Sequence, residues 1–140
     1  MRLTIAGRQT RSSPDAEALP EAAARVAKAV IWSATSFISR FDGDERLARE
    51  LVALFLVECP RMMAAVRDSV HNGTADDVRR AAHTLKGSMS NFTDLAPVTT
   101  AFALEQQGAA GRLTDAAATL VQLEREMEDL LAEMRQFNGT

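Results

Sequence analysis

The residues best suited to chemistry lie around His83, within the stretch VRRAAHTLKGSMSNFT of residues 78–93. On an α-helix each residue turns about 100°, so His83 lies roughly 140° from the centre of the apolar stripe of this stretch. Its imidazole is therefore predicted to share the outer face with Lys86 and Gly87. The stripe has spacings of four and three residues, is predicted to face the core, and consists of Val78, Ala82, Leu85, Met89 and Phe92.

This arrangement fits a nucleophile for an anionic group. A neutral imidazole, with an ordinary pKa of about 6.5, is a usable nucleophile at cellular pH. The ammonium of Lys86, one turn from His83, favours the neutral ring and stabilises negative charge that arrives on it. Gly87 costs the helix about 1 kcal/mol relative to alanine, and the close approach of another surface is the natural compensation. A phosphoryl group matches this chemistry best, and Arg79 and Arg80 are interpreted as surface charges that steer an acidic partner.

The segment HTLKGS at residues 83–88 resembles the His-x-Leu-Lys-Gly-Ser signature of histidine-containing phosphotransfer (Hpt) domains of bacterial and fungal phosphorelays. The resemblance extends over roughly residues 30 to 136. In that family the histidine carries a phosphoryl group between receiver-domain aspartates or receives it from a kinase. The resemblance implies that His83 is the phosphoacceptor, that Lys86 lies near the phosphoryl oxygens, and that Gly87 leaves the ring accessible.

Three further positions bear on this resemblance. Leu104-Glu105 resembles the Leu-Glu pair of the family's next helix, which implies that Glu105 accepts a hydrogen bond from one nitrogen of His83; the alternative is a solvated carboxylate. Ser88 matches the serine of the signature and either contacts a phosphoryl oxygen or is simply small. Thr93 departs from the family, which often has glycine ten residues after the histidine, and this departure concerns the helix end rather than the phosphoacceptor.

Composition limits the classes of protein that the chain can belong to. It has 140 residues, of which 46% are hydrophobic and 25% charged, and a formal net charge of −3. The length suits a single domain, and the charge gives no general argument for nucleic acid binding. No apolar run approaches the roughly 18 residues needed to span a bilayer. Cys59 is the only cysteine, so an internal disulfide is excluded, and we expect a buried thiol in a cytoplasmic protein.

The sequence contains no second set of catalytic motifs. It has no Walker-type or kinase glycine loop and no His-Glu-x-x-His pattern, and two histidines with one cysteine cannot build a plausible zinc site. We therefore expect a phosphoryl carrier without a cofactor, ATP site or metal site of its own, rather than an enzyme. Its partners would be receiver domains or a sensor histidine kinase, which bring the metal and the carboxylates. The carrier is expected to be a monomer that binds neither nucleic acid nor membrane.

Helical spacing throughout the chain predicts an all-α fold, an antiparallel up-down four-helix bundle with an additional N-terminal helix. Residues 1–19 are interpreted as a flexible tail or linker, and residues 20–138 as the Hpt-like bundle domain. The additional helix should begin near Pro20 and lie across the end of the bundle, with or without an interruption near Ser33.

Cap and turn residues define the first two of the four long helices. The first covers about residues 44–70 and is either bent or divided in two at Pro60. The second carries His83, and Thr74 with Asp77 resembles a capping pair at its start.

The other two helices follow in the same way. The third is predicted to run from a cap at Asp94 to about Gln107, after which Gly108 and Gly111 bracket a loop, and the fourth covers about residues 113–136. Apolar spacing predicts which residues of these helices lie in or near the core: Leu47, Leu51, Leu54, Phe55, Met62 and Val66 of the first helix, Leu95, Val98, Ala101, Phe102 and either Leu104 or Glu105 of the third, and Leu113, Ala117, Leu120, Leu123, Met127, Leu130, Leu131 and Met134 of the fourth.

Two other functions fit a helical bundle with an exposed histidine. One is the dimerisation and phosphoacceptor segment of a histidine kinase, although such segments usually continue with an acidic residue and an Arg-Thr-Pro type sequence, whereas His83 is followed by Thr84-Leu85-Lys86. The other is a helical adaptor that binds a receiver domain or another protein around Gly87 and transfers nothing. The second histidine, His71, is interpreted as a cation or cap at a helix end.

Overall fold

The computed structural model describes residues 32–139, and within this range the secondary structure is helical without strands. The tail assigned to residues 1–19 and the start of the additional helix at Pro20 lie outside the described residues. The helices in this range are α1 (Ala34–Ser39), α2 (Glu45–Asn72), α3 (Ala75–Met89), α4 (Val98–Ala110) and α5 (Leu113–Asn138). No helix within this range is both long enough and apolar enough to cross a lipid bilayer.

The four long helices form a closed ring of neighbours. Helix α2 packs against α3 and α5, and α4 packs against the same two helices, while α1 contacts α2. The connections between consecutive long helices are short, so neighbouring helices run antiparallel. The prediction of an all-α up-down bundle preceded by a further helix is confirmed.

The apolar stripe of α3 forms one wall of the core, as its spacing predicts. Val78, Ala82, Leu85 and Met89 have no exposed surface. The fifth predicted member, Phe92, is also buried, but α3 ends at Met89 and Phe92 reaches the core from the following turn. Helical spacing predicted the burial of Phe92 correctly and its backbone conformation incorrectly.

Aromatic rings hold this turn against the end of the bundle. The ring of Phe92 lies 5.0 Å from the rings of both Phe37 in α1 and Phe55 in α2. The guanidinium of Arg40 donates a hydrogen bond of 2.8 Å to the carbonyl of Asn91 in the same turn. These contacts fix the C-terminal end of α3 where no regular helix continues.

Helix α2 is continuous through Pro60, so the alternative of two separate helices is wrong. Asp44 caps it by accepting a hydrogen bond from the amide of Leu47 at 3.1 Å, and Gly73 follows its last residue. Pro60 lies on the exposed side of the helix. Cys59, directly before it, is fully buried as expected.

Several predicted core residues of α2 and α5 are exposed, and neighbouring positions are buried instead. Leu54 is 63% exposed and Leu47 is also exposed, whereas Ala48 and Val52 are buried in their place. These helices carry apolar residues on more than one face, and the contacts with neighbouring helices select the face that is covered. In α5, Leu113 and Ala117 are exposed and Ala116 is buried.

Helix α4 begins and ends later than the sequence predicts. Asp94 does not cap it; instead the hydroxyl of Thr93 accepts a hydrogen bond from the amide of Leu95 at 3.1 Å, and a separate turn leads to Pro97. The helix continues past Gln107 to Ala110 and ends at a left-handed glycine, Gly111. Leu95 and Phe102, predicted near the seams of α4, are about half exposed.

Gly108 lies inside α4 and is buried, so its assignment to a loop is wrong. A Cβ atom at this position would lie 2.6 Å from the amide nitrogen of Arg79 and 2.9 Å from the carbonyl oxygen of Ala75. Both atoms belong to the backbone of α3 and cannot move aside as a side chain can. The missing side chain of Gly108 therefore permits the close approach of α4 to α3.

Candidate functional site

The N-terminal cap of α3 fixes the start of the helix that carries the histidine. The hydroxyl of Thr74 accepts a hydrogen bond from the amide of Asp77 at 3.2 Å, and the carboxylate of Asp77 accepts one from the amide of Thr74 at 3.0 Å. Asp76 and Asp77 also place negative charge in the first turn, where the helix dipole favours it. This is the predicted capping pair, and it sets the register of every residue that follows in α3.

The side chain of His83 is 63% exposed, on the face of α3 opposite the core. Its Nδ1 lies 3.0 Å from Oε2 of Glu105 in α4. An ionised carboxylate only accepts hydrogen bonds, so Nδ1 must carry the proton and donate it. The lone pair of the neutral ring is then on Nε2.

Lys86 shares the carboxylate with His83. Its Nζ lies 2.7 Å from Oε1 of Glu105, and its side chain is 23% exposed. The same ammonium lies 4.8 Å from the ring centroid of Phe102, one turn before Glu105 on α4. Glu105 therefore bridges the two groups of α3 that the sequence assigned to the site.

Two opposing effects set the ionisation of Glu105. Its side chain is only 14% exposed, and this burial raises the pKa of the carboxyl group. The contacts from Lys86 and His83, together with their charges, lower it by more. The net result is a pKa below the ordinary value for glutamate, so the carboxylate stays ionised at neutral pH and keeps its hold on both partners.

Gly87 leaves open space beside the histidine. A Cβ atom built at this position would meet no heavy atom within 4 Å outside its own stretch of helix. Ser90, which caps the end of α3, donates its hydroxyl proton to the carbonyl of Gly87 at 2.9 Å and so points back along the helix. The surface next to His83 on its C-terminal side therefore has room for a second molecule.

The other sequence candidates do not join the cluster. Ser88 is half-buried and follows His83 by five residues, which places it about 140° further round the helix. Arg79 and Arg80 are paired with the carboxylate of Asp76 at 2.8 and 2.9 Å. His71 is an exposed residue of the last turn of α2, which agrees with its interpretation as a cation at a helix end.

The sequence analysis missed the contact of Phe102 with the site. Its apolar character suggested packing, yet the side chain is 48% exposed and its ring lies beside Lys86. The sequence did contain a pattern that could have indicated this contact, because Phe102 precedes Glu105 by three residues and therefore lies on the same side of α4. This side becomes visible as part of the site only when α4 is placed against α3.

A closed helical bundle that presents an exposed imidazole, with its Nδ1 against a carboxylate that is 14% exposed, is the arrangement expected of a histidine phosphotransfer protein. A model of the Hpt domain family matches residues 50–136, which is more than half of the chain. The chain belongs to the Hpt domain family. It is therefore a phosphoryl carrier of a two-component phosphorelay rather than a conventional enzyme, and proteins of this kind interact with receiver domains and kinases.

Comparison with solved structures supports the fold. The crystal structure of histidine-containing phosphotransfer protein B (HptB) from Pseudomonas aeruginosa PAO1 is similar, with a TM-score of 0.70 and 22% sequence identity over 77% of this chain and 94% of that chain. At this identity the likeness concerns the arrangement of the helices. No curated protein sequence shows a significant match.

Proposed function

We propose that Nε2 of His83 accepts a phosphoryl group from a receiver-domain aspartyl phosphate or a histidine kinase and passes it to a receiver-domain aspartate. The observation that supports this most directly is the 3.0 Å contact between Nδ1 of His83 and the carboxylate of Glu105. It holds the proton on one nitrogen and leaves the lone pair on the other, in a ring that is 63% exposed.

The transfer step balances without moving a proton. The Nε2 lone pair forms the N–P bond while the P–O bond to the donor aspartate breaks, and the electron pair of that bond stays on the aspartate carboxylate. The phosphorylated ring keeps its Nδ1 proton and gains positive charge, which the carboxylate of Glu105 stabilises. In the onward step a carboxylate oxygen of the acceptor aspartate forms a P–O bond while the N–P bond breaks, and the electron pair of the N–P bond returns to Nε2, so His83 is again a neutral imidazole.

Lys86 supplies positive charge for the phosphoryl oxygens. Its ammonium is already 2.7 Å from Glu105, and this contact holds it one helical turn from His83. When the phosphoryl group arrives, its oxygens compete with the carboxylate for the ammonium, because developing negative charge attracts the nearest cation. Gly87 provides the space through which the partner reaches the ring, and Ser88 contributes as a small residue rather than as a phosphoryl ligand.

The phosphoacceptor assignment is tested by labelling. A phosphorylated receiver domain or the cognate kinase should label the full chain with a phosphate that is labile in acid and stable in base. We expect His83→Gln to lose the label and His71→Gln, the matched control at the chain's other histidine, to keep it. Label that remains on His83→Gln would contradict the assignment.

A binding measurement separates phosphoryl transfer from a purely adaptor role. An adaptor would keep both receiver binding and signalling output when His83 is replaced by glutamine, whereas a carrier keeps binding and loses signalling. For Lys86→Ala we expect slower transfer with the fold intact. A transfer rate equal to that of the wild type would remove the proposed role of Lys86.

The protein's own contribution is limited to the nucleophile and its neighbours. We propose that the ATP and metal chemistry belong to the partner proteins, and that the carrier acts as a cytoplasmic monomer which binds neither nucleic acid nor membrane. The net charge of −3 supports the absence of nucleic acid binding. Light scattering on the purified chain should give a mass near 15.2 kDa, and a dimer mass would contradict the monomer.

A further inference from the structure

Phe102 is the aromatic side chain whose position the transfer chemistry does not yet explain. Exposed apolar residues are common in folded proteins and need no explanation by themselves. Phe102 differs from the other large apolar residues exposed within residues 32–139, because it is the only aromatic one and its ring lies 4.8 Å from the ammonium of Lys86. Its environment is therefore part of the site and not part of the core.

The contact follows from matching spacings on two facing helices. His83 and Lys86 are three residues apart on α3, and Phe102 and Glu105 are three residues apart on α4. Each pair lies on one flank of its helix. Glu105 contacts both residues of the α3 pair, and Phe102 lies beside the lysine alone.

The ring and the carboxylate attract the same ammonium in different ways. Glu105 is charged, so it competes directly with phosphoryl oxygens for Lys86. The face of an aromatic ring attracts a cation through its quadrupole and carries no net charge. Lys86 can therefore exchange the carboxylate for a phosphoryl oxygen while it remains against Phe102.

We infer that Phe102 is a positioning residue that keeps the ammonium of Lys86 beside His83 during phosphoryl transfer. The inference rests on the proposed role of Lys86. Phe102 acts through Lys86 and has no direct contact with the reacting atoms. A ring that keeps the lysine in place reduces the number of conformations lost when the lysine binds the phosphoryl group, so it should speed transfer within the bound complex.

The test uses variants of Phe102 in two backgrounds. Phe102→Leu keeps an apolar side chain and removes the aromatic face, whereas Phe102→Trp keeps a face that binds cations at least as well. The transfer rate is measured at saturating concentration of a receiver domain that the wild type labels. We expect Phe102→Leu to slow transfer by about twofold to fivefold and Phe102→Trp to keep the wild-type rate. Val121→Ala, which trims another half-exposed apolar side chain on α5, is the matched control and should have no effect.

The double-mutant cycle decides whether the ring acts through the lysine. In the Lys86→Ala background, Phe102→Leu should cause no further slowing. Equal slowing in both backgrounds would mean that the ring contacts the partner directly, and would overturn the inference. A wild-type transfer rate for Phe102→Leu, together with slow transfer for Lys86→Ala, would also overturn the inference about Phe102. That result would leave the proposed function of His83 and Lys86 intact.

A measurement on the free protein completes the test. The aromatic ring should shift the NMR signals of the Lys86 side-chain methylene next to the ammonium, and this ring-current shift should disappear in Phe102→Leu and persist in Phe102→Trp. Signals that are the same in Phe102→Leu and the wild type would show that the contact does not form in solution and would overturn the inference, whatever the result of labelling at His83.

Discussion

Alanine substitution at two helix glycines should change the stability of the bundle in opposite directions. Gly87 and Gly108 lie inside α3 and α4, and in both helices alanine is the better helix former by about 1 kcal/mol. They differ in what an added Cβ atom meets. At Gly87 it meets nothing within 4 Å, and at Gly108 it lies 2.6 Å from the backbone of Arg79.

The expected magnitudes follow from these distances. Gly87→Ala should stabilise the protein by about 0.5–1 kcal/mol, because no contact opposes the gain in helix propensity. At Gly108 the Cβ atom is about 0.8 Å short of the 3.4 Å at which ordinary contact begins, and its neighbours are backbone atoms. Overpacking of this kind costs about 1–3 kcal/mol, which outweighs the propensity gain. The two variants should therefore differ by about 2 kcal/mol, or roughly 10 °C in Tm for a domain of this size.

Thermal and urea unfolding of the full chain, followed by circular dichroism, measure this difference directly. The two variants share the same change of chemical group, so each is the control for the other. If Gly108→Ala proves as stable as Gly87→Ala, the backbones of α3 and α4 are not in contact at Gly108, and the explanation for the buried glycine fails.

The same pair of variants tests how the bundle positions the site. A rigid separation of α3 and α4 by about 0.8 Å would lengthen the 3.0 Å contact between His83 and Glu105 by at most that amount, to a limit of about 3.8 Å, and would weaken the hydrogen bond. The imidazole nitrogen shifts of His83 in NMR spectra should then show that the Nδ1–H tautomer is less firmly fixed in Gly108→Ala. Gly87→Ala should leave the tautomer unchanged and slow transfer from the partner, because its methyl group lies on the open surface beside the ring.

Three further predictions concern the cap, the thiol and the carboxylate. Thr74→Ala should destabilise the protein by about 1 kcal/mol in urea unfolding, since it removes one half of the capping box; an unchanged midpoint would contradict this. Burial raises the pKa of the Cys59 thiol from 9.0 to about 11, against a smaller lowering by Arg135 and Arg67, so a thiol reagent should react about 100-fold more slowly with folded than with urea-unfolded protein near neutral pH. Despite its burial, the pKa of Glu105 lies below 4.5 in the folded state because of Lys86 and His83; its contacts therefore stabilise the protein above the unfolded pKa and lose this effect as the pH falls through the folded value. The stability difference between wild type and Glu105→Gln should accordingly be larger near neutral pH than at about pH 3, and a constant difference would refute this linkage.

Local chemistry in the sequence was sufficient to predict most of the helix that carries the site. The capping pair Thr74 and Asp77 depends on residues three apart, and the stripe of α3 has only one apolar face, so the outward direction of His83 followed from spacing. The position at which α3 ends could not be predicted from local spacing. Phe92 continues the apolar period, but its burial comes from contacts with Phe37 and Phe55, which are distant in sequence.

The predictions for Leu54 in α2 and Gly108 in α4 were wrong for the same reason: packing between helices, which local spacing does not show, decided both positions. Leu54 continues the apolar pattern of α2 and was assigned to the core, yet the neighbouring helices cover the side of Ala48 and Val52. Gly108 resembled a loop glycine because glycine weakens an isolated helix. In the bundle the same property is useful, since only a residue without a side chain fits against the backbone of α3 at this point.

The amino-acid sequence alone was sufficient to predict the family, the helical class and the outward direction of His83, because the signature motif and the apolar stripe of α3 involve residues within a few turns of one another. The resemblance to the family implied a contact of Glu105 with His83, but only the tertiary structure showed that the same carboxylate contacts Lys86 and that Phe102 lies against this lysine. These contacts are made between α3 and α4, which residues 90–97 connect. They depend on how closely α3 and α4 approach, and that distance is set by packing at Gly108 and not by any local pattern.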